Sequence, residues 1–207
     1  MPKWRMKVDE IFRSIQGEGL NQGRPCTFVR FAGCNLDCSW CDTRRARSGG
    51  EEMDRDAILA RVREMGGRYV CITGGEPLLQ GLPLLSLVRD LFSAGYLIDI
   101  ETNGTIEFSG YQPYASICMD VKCPSSGEGS DLSLLTLLSD RDAAKFVVAD
   151  RADCEYAARV MQTHPHRGQV FFSPVEGADP LEIARFLIRE DLPARLQLQI
   201  HKVIGVN

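Results

Sequence analysis

Residues 27–43 read TFVRFAGCNLDCSWCDT. Thr27 to Phe31 are β-branched and aromatic residues around one arginine, the composition of a short strand. The loop that follows carries Cys34, Cys38 and Cys41 in the spacing C-x3-C-x2-C. A strand that delivers three thiols at its C-terminal end sets where the chemistry of the fold must lie. Three thiolates this close hold three corners of an iron–sulfur cube and leave the fourth iron open to a small molecule, whereas cubes that only carry electrons normally take four cysteines. Two other uses stand beside this one. A structural zinc site takes four ligands, and Cys26 is the nearest further cysteine. Cys38 and Cys41 alone form a C-x2-C pair of the redox type.

A second stretch, YVCITGGEPLLQ at 69–80, reads as a buried strand, Tyr69–Thr73, ending in a turn. Gly74 and Gly75 permit a backbone path that a side chain would block. Such a turn exposes backbone N–H and C=O groups beside Glu76, partners for the ammonium and carboxylate of an amino acid. Elsewhere, short apolar runs alternate with helical patterns. Strands are expected at 96–101, 116–121, 145–148, 169–173 and 196–201, and helices at 55–65, 82–94, 152–163 and 181–190. Asp54, Asp150 and Asp179 are the expected N-caps, and Pro180 suits a first helical turn. Ile58, Val62 and Met65 share one helix face, and Leu181, Ala184, Leu187 and Ile188 another.

Strand–helix alternation means an α/β fold with a mainly parallel sheet. A closed eight-fold barrel needs about 250 residues, and this chain has 207. Residues 103–115 and 122–144 are rich in Gly, Ser and Pro, with little helical pattern. The expected architecture is a partial, open (β/α) barrel of about six strands, a single domain over 1–207, with some crossovers reduced to loops. Chemistry in such folds sits at the C-terminal strand ends, where Cys34, Gly74, Asn103 and Lys122 fall in turn.

Formal charge is −4 with no long basic run, so nucleic-acid binding is not expected. No apolar stretch reaches membrane-spanning length, and the start has no secretory pattern. The eight cysteines are unevenly spaced and read as reduced thiols in a cytoplasm rather than a disulfide framework. Cys71, Cys118 and Cys154 lie in apolar or helical patterns and are expected to pack.

The cysteine loop together with the Gly-Gly-Glu turn resembles the radical S-adenosylmethionine (SAM) superfamily. Further segments narrow the resemblance: FRSIQGEG at 12–19, CDT at 41–43, ETNGT at 101–105, DVKCPSSG at 120–127, FFSPV at 171–175 and LQIHKVIG at 198–205. Together they are similar to the 7-carboxy-7-deazaguanine synthase family, over nearly the whole chain. The resemblance implies that 6-carboxy-5,6,7,8-tetrahydropterin becomes 7-carboxy-7-deazaguanine with loss of ammonia, in 7-deazapurine (queuosine) biosynthesis. A [4Fe-4S] cluster on Cys34, Cys38 and Cys41 reduces SAM, and the resulting 5′-deoxyadenosyl radical takes hydrogen from the pterin. Mg2+ at Thr43 assists the rearrangement.

The resemblance also distributes the remaining residues. Trp40, Asp42, Gly74, Gly75, Glu76, Glu101, Asn103, Lys122 and Ser173 fall to SAM. Ile15, Gln16, Gly17, Glu18, Arg30, Thr73 and His201 fall to the pterin. Gln16 and Glu18 can read amide and amino groups, and Arg30 can pair with a carboxylate in a forked geometry. Taken alone, Thr43 is a turn hydroxyl, Arg30 a solvent-facing strand residue and His201 a buried imidazole. The implied partners are a flavodoxin or ferredoxin as electron donor and a second copy in a homodimer. Two rivals remain at this point, an activating enzyme of a glycyl-radical protein and a zinc-binding adaptor. No role falls to His164, His166 or Asn207.

Overall fold

The computed structural model describes residues 4–206; Asn207 lies outside them. The polypeptide opens with a hairpin, β1 (Arg5–Ile15) antiparallel to β2 (Pro25–Phe31). A short strand, β3 (Glu51–Asp54), pairs antiparallel on the far side of β1. From β2 onward every pairing is parallel, through β4 (Tyr69–Gly74), β5 (Leu97–Thr102), β6 (Ser116–Val121), β7 (Ala143–Val148), β8 (Gln169–Pro174) and the two-residue β9 (Arg195–Leu196). The sheet runs β3-β1-β2-β4-β5-β6-β7-β8-β9. It keeps two edges, so this is an open partial barrel as expected.

The helices are α1 (Arg55–Met65), α2 (Leu82–Ser93), α3 (Arg151–Thr163), α4 (Pro180–Arg189) and the short α5 (Ile200–Ile204). Asp54, Asp150 and Asp179 cap α1, α3 and α4 by accepting from Ala57, Asp153 and Leu181 N–H. The crossovers on either side of β6 lack α-helices. The β6–β7 crossover carries two 3₁₀ segments instead, Pro124–Ser126 and Leu132–Leu137, and Phe108 in the β5–β6 crossover joins Leu134 and Leu135 in filling the core.

The alternation of side chains along each strand divides the sheet into two faces. Outward positions (Val70 and Ile72, Ile98 and Ile100, Ile117 and Met119, Ala144 and Phe146) join the helices in one large apolar core. Inward positions are different. Near the strand ends they carry Arg30, Thr73, Glu101, Asp120 and Lys145, and these residues line one cavity. Deeper down, Cys118, Ala143 and Phe171 pack against Leu20 from the β1–β2 turn, and buried Asp99 accepts from Asn21 of the same turn at 3.0 Å. That turn crosses the inner face of the sheet, which is how residues 16–18 reach the cavity.

Four expectations differ from the structure. Among the described residues the sheet has nine strands rather than about six, and β3 was not expected. The N-terminal strand was unexpected, although buried Met6 and Val8 alternate with exposed Arg5 and Lys7. The segment 196–201 is not a strand beyond Leu196. Its glutamines turn to the β1–β2 turn, and Ile200–Ile204 is helical. On α4 the buried face is Ile183, Phe186 and Leu187, while Leu181 and Ile188 are 54% and 79% exposed. Cys71, Cys118 and Cys154 pack in the interior as expected.

Candidate active site

A cavity of about 650 Å³ opens at the C-terminal ends of the strands, within the size range of small-molecule and cofactor sites. Eighteen of the twenty residues assigned from sequence line it; Glu76 and Ser173 do not.

The cysteine loop forms one wall. It is held from outside by the loop after β6. Ser39 N–H donates to Ser126 O at 2.9 Å, and Ser39 Oγ to Ser125 O at 2.7 Å. Trp40 Nε1 donates to Ser125 Oγ at 3.0 Å, and buried Asp153 accepts from the Ser125 N–H at 3.0 Å. Lys122 Nζ lies 5.2 Å over the Trp40 ring and 2.9 Å from Asp120. The DVKCPSSG stretch therefore shapes the cysteine loop as well as supplying Lys122. Cys34, Cys38 and Cys41 are free thiols on the cavity wall. Burial pushes the Cys38 thiol up, and the Lys122 ammonium draws it the other way. Asn103 Nδ2 donates to Asn35 Oδ1 at 3.0 Å and lies 4.0 Å from Cys34 Sγ.

Cys26 cannot complete a four-cysteine set with these three. It is fully buried inside β2, in a separate apolar group with Phe28, Tyr69 and Cys71. Among the described residues no three His, Cys, Asp or Glu side chains converge on a single ion. An iron–sulfur cube bridges thiols that stand further apart than the ligands of one ion, and the all-sulfur donor set suits it.

The Gly-Gly turn abuts the cysteine loop. A Cβ on Gly74 would lie 2.2 Å from Phe31 O, and one on Gly75 2.3 Å from Gly33 O. No side chain fits there. Gly75 and Glu76 N–H groups already donate to Phe31 O and Gly33 O, at 3.1 and 2.8 Å. The turn's acceptor oxygens, rather than its donors, are what remain for a ligand's ammonium. Glu76 itself is fully buried and turned away from the cavity. Its carboxylate accepts from Leu78 N at 3.0 Å, Thr102 Oγ1 at 2.9 Å and Asn103 N at 2.6 Å. It ties the end of β4 to the end of β5 and positions Asn103. Ser173 is also fully buried; it shares the inner face of β8 with Phe171, beside the cavity-lining Val147, and its Oγ has no hydrogen-bond partner among the described residues.

The opposite wall comes from β1, β2 and the chain end. A bulge at Asp9 brings Glu10 opposite Arg30, and Glu10 Oε1 lies 2.8 Å from Arg30 Nε. Phe12 and Phe28 stack at 4.9 Å, and the Arg30 guanidinium lies 5.5 Å over the Phe12 ring. His201 reaches the cavity over Gly17, where a Cβ would lie 1.7 Å from His201 Nδ1. Burial holds the His201 imidazole below its ordinary pKa, in the neutral form. Gln197 clasps Gly19, with its Oε1 accepting at 2.8 Å and its Nε2 donating at 2.9 Å. Thr43 Oγ1 donates to Asp42 Oδ1 at 2.8 Å, and Lys202 Nζ is 2.8 Å from Asp42 Oδ2. Burial alone would raise the Asp42 carboxyl, and Lys202 outweighs it, holding the group down to about 2.

Lys145 stands at the floor and was not expected from sequence. Its ammonium forms a close ion pair with Glu18, 3.6 Å from Glu101 and 3.9 Å from Asp120. Burial disfavours its charge, but Glu18, Asp120 and Glu101 outweigh burial and keep it protonated. Burial would also raise Glu18, and Lys145 and Gln199 hold it below the usual carboxylate range. For Glu101 burial dominates: Lys145 opposes it, Glu18 adds to it, and the carboxyl is pushed up to about 7.

Between 4.5 and about 7 the folded protein therefore keeps a Glu101 proton that the unfolded chain releases. The associated stability is full below the lower value and is lost as pH rises through the upper one. A displacement of this size corresponds to on the order of 3 kcal/mol. Glu101→Gln is neutral at every pH, so its urea midpoint is expected to fall less between about pH 5 and 8 than the wild-type midpoint. Equal slopes would contradict the assignment.

Sequence comparison gives the context. Residues 28–108 match the Radical SAM superfamily. A 7-carboxy-7-deazaguanine synthase of Methanospirillum hungatei is 50% identical over 201 residues, covering 97% of this chain and 86% of the relative. The chain belongs to the 7-carboxy-7-deazaguanine synthase family. A second 7-carboxy-7-deazaguanine synthase, from Koribacter versatilis, is 39% identical and is aligned over 96% of both chains. The crystal structure of QueE from Escherichia coli superposes with a TM-score of 0.78 at 26% identity, covering 94% of each chain. Streptococcus suis SuiB, at 13% identity and a TM-score of 0.58, shares the fold alone. As a radical SAM family, these 7-carboxy-7-deazaguanine synthases use a [4Fe-4S] cluster and SAM. The zinc-adaptor reading is thereby set aside.

Proposed function

We propose that this chain converts 6-carboxy-5,6,7,8-tetrahydropterin to 7-carboxy-7-deazaguanine and ammonia, for 7-deazapurine biosynthesis in the cytoplasm. The observation that carries the reading is one cavity with two chemically different walls. Three thiols and the Gly-Gly turn form one, and Gln16, Glu18, Arg30 and His201 the other. A glycyl-radical activating enzyme would need an open groove for a polypeptide instead. The test is product formation from the carboxypterin without any protein substrate.

When bound, the cluster and SAM supply a one-electron reduction and a hydrogen-abstracting radical. The chain's own residues position, pair and exclude. Cys34, Cys38 and Cys41 hold the cluster. Gly74, Gly75, Asn103, Trp40 and Lys122 surround SAM beside it, with Asp42 at the edge. Thr73, level with Arg30 in the β2–β4 pairing, joins Ile15, Gln16, Gly17 and His201 around the pterin. Glu101 falls to SAM by the family match, and it shares Lys145 with Glu18 of the substrate wall. The whole chain, 1–207, acts as one domain, since every described strand belongs to one sheet.

Mg2+ falls to Thr43. Mg2+ retains waters and accepts substrate oxygens, so a single protein oxygen suffices. Thr43→Ala is expected to keep SAM cleavage, slow product formation and raise the Mg2+ requirement, with Thr43→Ser milder. Titration of initial rate with Mg2+ checks this, and an unchanged requirement in Thr43→Ala would return Thr43 to a turn residue.

For the electron donor, the support is Arg44, Arg45 and Arg47 beside the cysteine loop, whose guanidinium groups pair with Asp37, Asp9 and Glu10 in the free chain and can exchange them for the carboxylates of an acidic flavodoxin or ferredoxin. For the homodimer it is the apolar surface of the chain end, where Val203 and Ile204 are 69% and 53% exposed.

A further inference from the structure

Lys145 sits inside a strand whose other members, Ala143, Ala144, Phe146, Val147 and Val148, are all buried and apolar. A charge in such a place is costly unless it is paired. Replacing a buried ion pair by apolar residues of similar volume is often neutral or stabilising, so fold stability alone does not account for it. Its geometry suggests another task. Each oxygen of the Glu18 carboxylate is held by one protein donor, Oε2 by the Lys145 ammonium and Oε1 by Gln199 Nε2. A carboxylate has about four acceptor sites. Two are thereby occupied, which fixes the plane of the group and leaves the others for the cavity that Glu18 lines.

We propose that Lys145 is a positioning residue for substrate recognition, keeping Glu18 an oriented anion that receives two parallel N–H donors. The matching ligand chemistry is the 2-amino-4-oxopyrimidine edge of a pterin, whose amino group and adjacent ring N–H form such a pair. The inference rests on the pterin reading above and deepens it. Without the ammonium, Glu18 stands beside Glu101 and Asp120 with no cation touching it. It then takes up a proton, and a protonated carboxyl offers a donor where the ligand needs an acceptor. Gln199, on the chain-end segment, fixes the second oxygen and links the recognition of this edge to the docking of residues 197–201.

The experiment measures equilibrium binding of 6-carboxypterin and of its analogue lacking the 2-amino group to the reconstituted, SAM-loaded enzyme, by pterin fluorescence. Wild-type binding of the carboxypterin comes first, and its absence would overturn the pterin reading rather than the role of Lys145. Lys145→Met is expected to weaken carboxypterin binding by roughly 100-fold, as expected for a buried carboxylate robbed of its partner. It is also expected to collapse the preference for the 2-amino form to within about threefold, because the acceptor pair is gone. Lys145→Arg keeps the charge and is expected to retain most of that preference with a loss of about tenfold in affinity. Should Lys145→Met fold poorly, the double variant Lys145→Met/Glu18→Gln supplies a neutral pair, expected to restore the melting temperature but not the 2-amino preference. Two results would overturn the proposal. One is wild-type affinity in Lys145→Met. The other is weakened affinity with an undiminished 2-amino preference, in either the single or the double variant, which is the signature of general structural damage.

Discussion

Replacing Cys34, Cys38 or Cys41 with Ala is expected to abolish the [4Fe-4S] cluster and with it all SAM cleavage. Iron and sulfide counts and the visible spectrum of anaerobically prepared protein report the first loss, and methionine release the second. The effect would be total because Cys34, Cys38 and Cys41 would each hold one iron and no further thiol stands by to replace a lost one. Cys26→Ala and Cys154→Ala are the controls. Cys26 lies in its own apolar group inside β2, and Cys154 packs on α3 in the helix-side core. Both variants are expected to keep the cluster at wild-type content. Full iron content in Cys38→Ala would contradict the ligand assignment.

The second large effect belongs to Arg30. A pterin carboxylate enclosed in the cavity would need a cation, since breaking a buried charge pair costs about 3–5 kcal/mol. The Glu10 partner at Arg30 Nε does not remove this role. It fixes the guanidinium plane and leaves the terminal nitrogens free to form a fork. Arg30→Ala is expected to weaken carboxypterin binding by more than about 100-fold, while cluster content and the slow cleavage of SAM without substrate persist. Arg30→Lys is expected to recover only part of the loss, because an ammonium lacks the forked donors. Product formation by Arg30→Ala at wild-type affinity would contradict the role of the arginine and leave the reaction itself untouched.

Much of this site could be read in the chain before any coordinates, because its residues sit at ends of strands. Cys34, Gly74, Asn103 and Lys122 each follow an apolar run, and parallel strands gather such positions at one mouth. The strands themselves were legible for the same reason, since residues such as Val70, Ile72, Ile98 and Ile100 form apolar runs.

What escaped was the inner face. Lys145 lies within AAKFVV, where a single charge in an otherwise apolar strand was the available signal. Asp120 gave a similar signal ahead of Lys122. Gln199 and Lys202 flank His201 but act through long-range contacts that no local pattern reports. The turn motif places Glu76 beside the site, while its side chain points back to Thr102 and Asn103. The chain end was read as a strand because Leu196, Leu198 and Ile200 alternate with polar residues. Gln197 and Gln199 instead bind the 17–19 turn, and the ladder stops.

One cavity couples SAM cleavage to ring contraction of a carboxypterin. The most direct test of this coupling supplies the anaerobically reconstituted wild-type enzyme with SAM, Mg2+, a reductant and 6-carboxy-5,6,7,8-tetrahydropterin, and follows the products by mass. The account predicts 7-carboxy-7-deazaguanine and ammonia in equal amounts, with no polypeptide substrate required. An enzyme with an intact cluster that cleaves SAM yet forms no 7-carboxy-7-deazaguanine would contradict it.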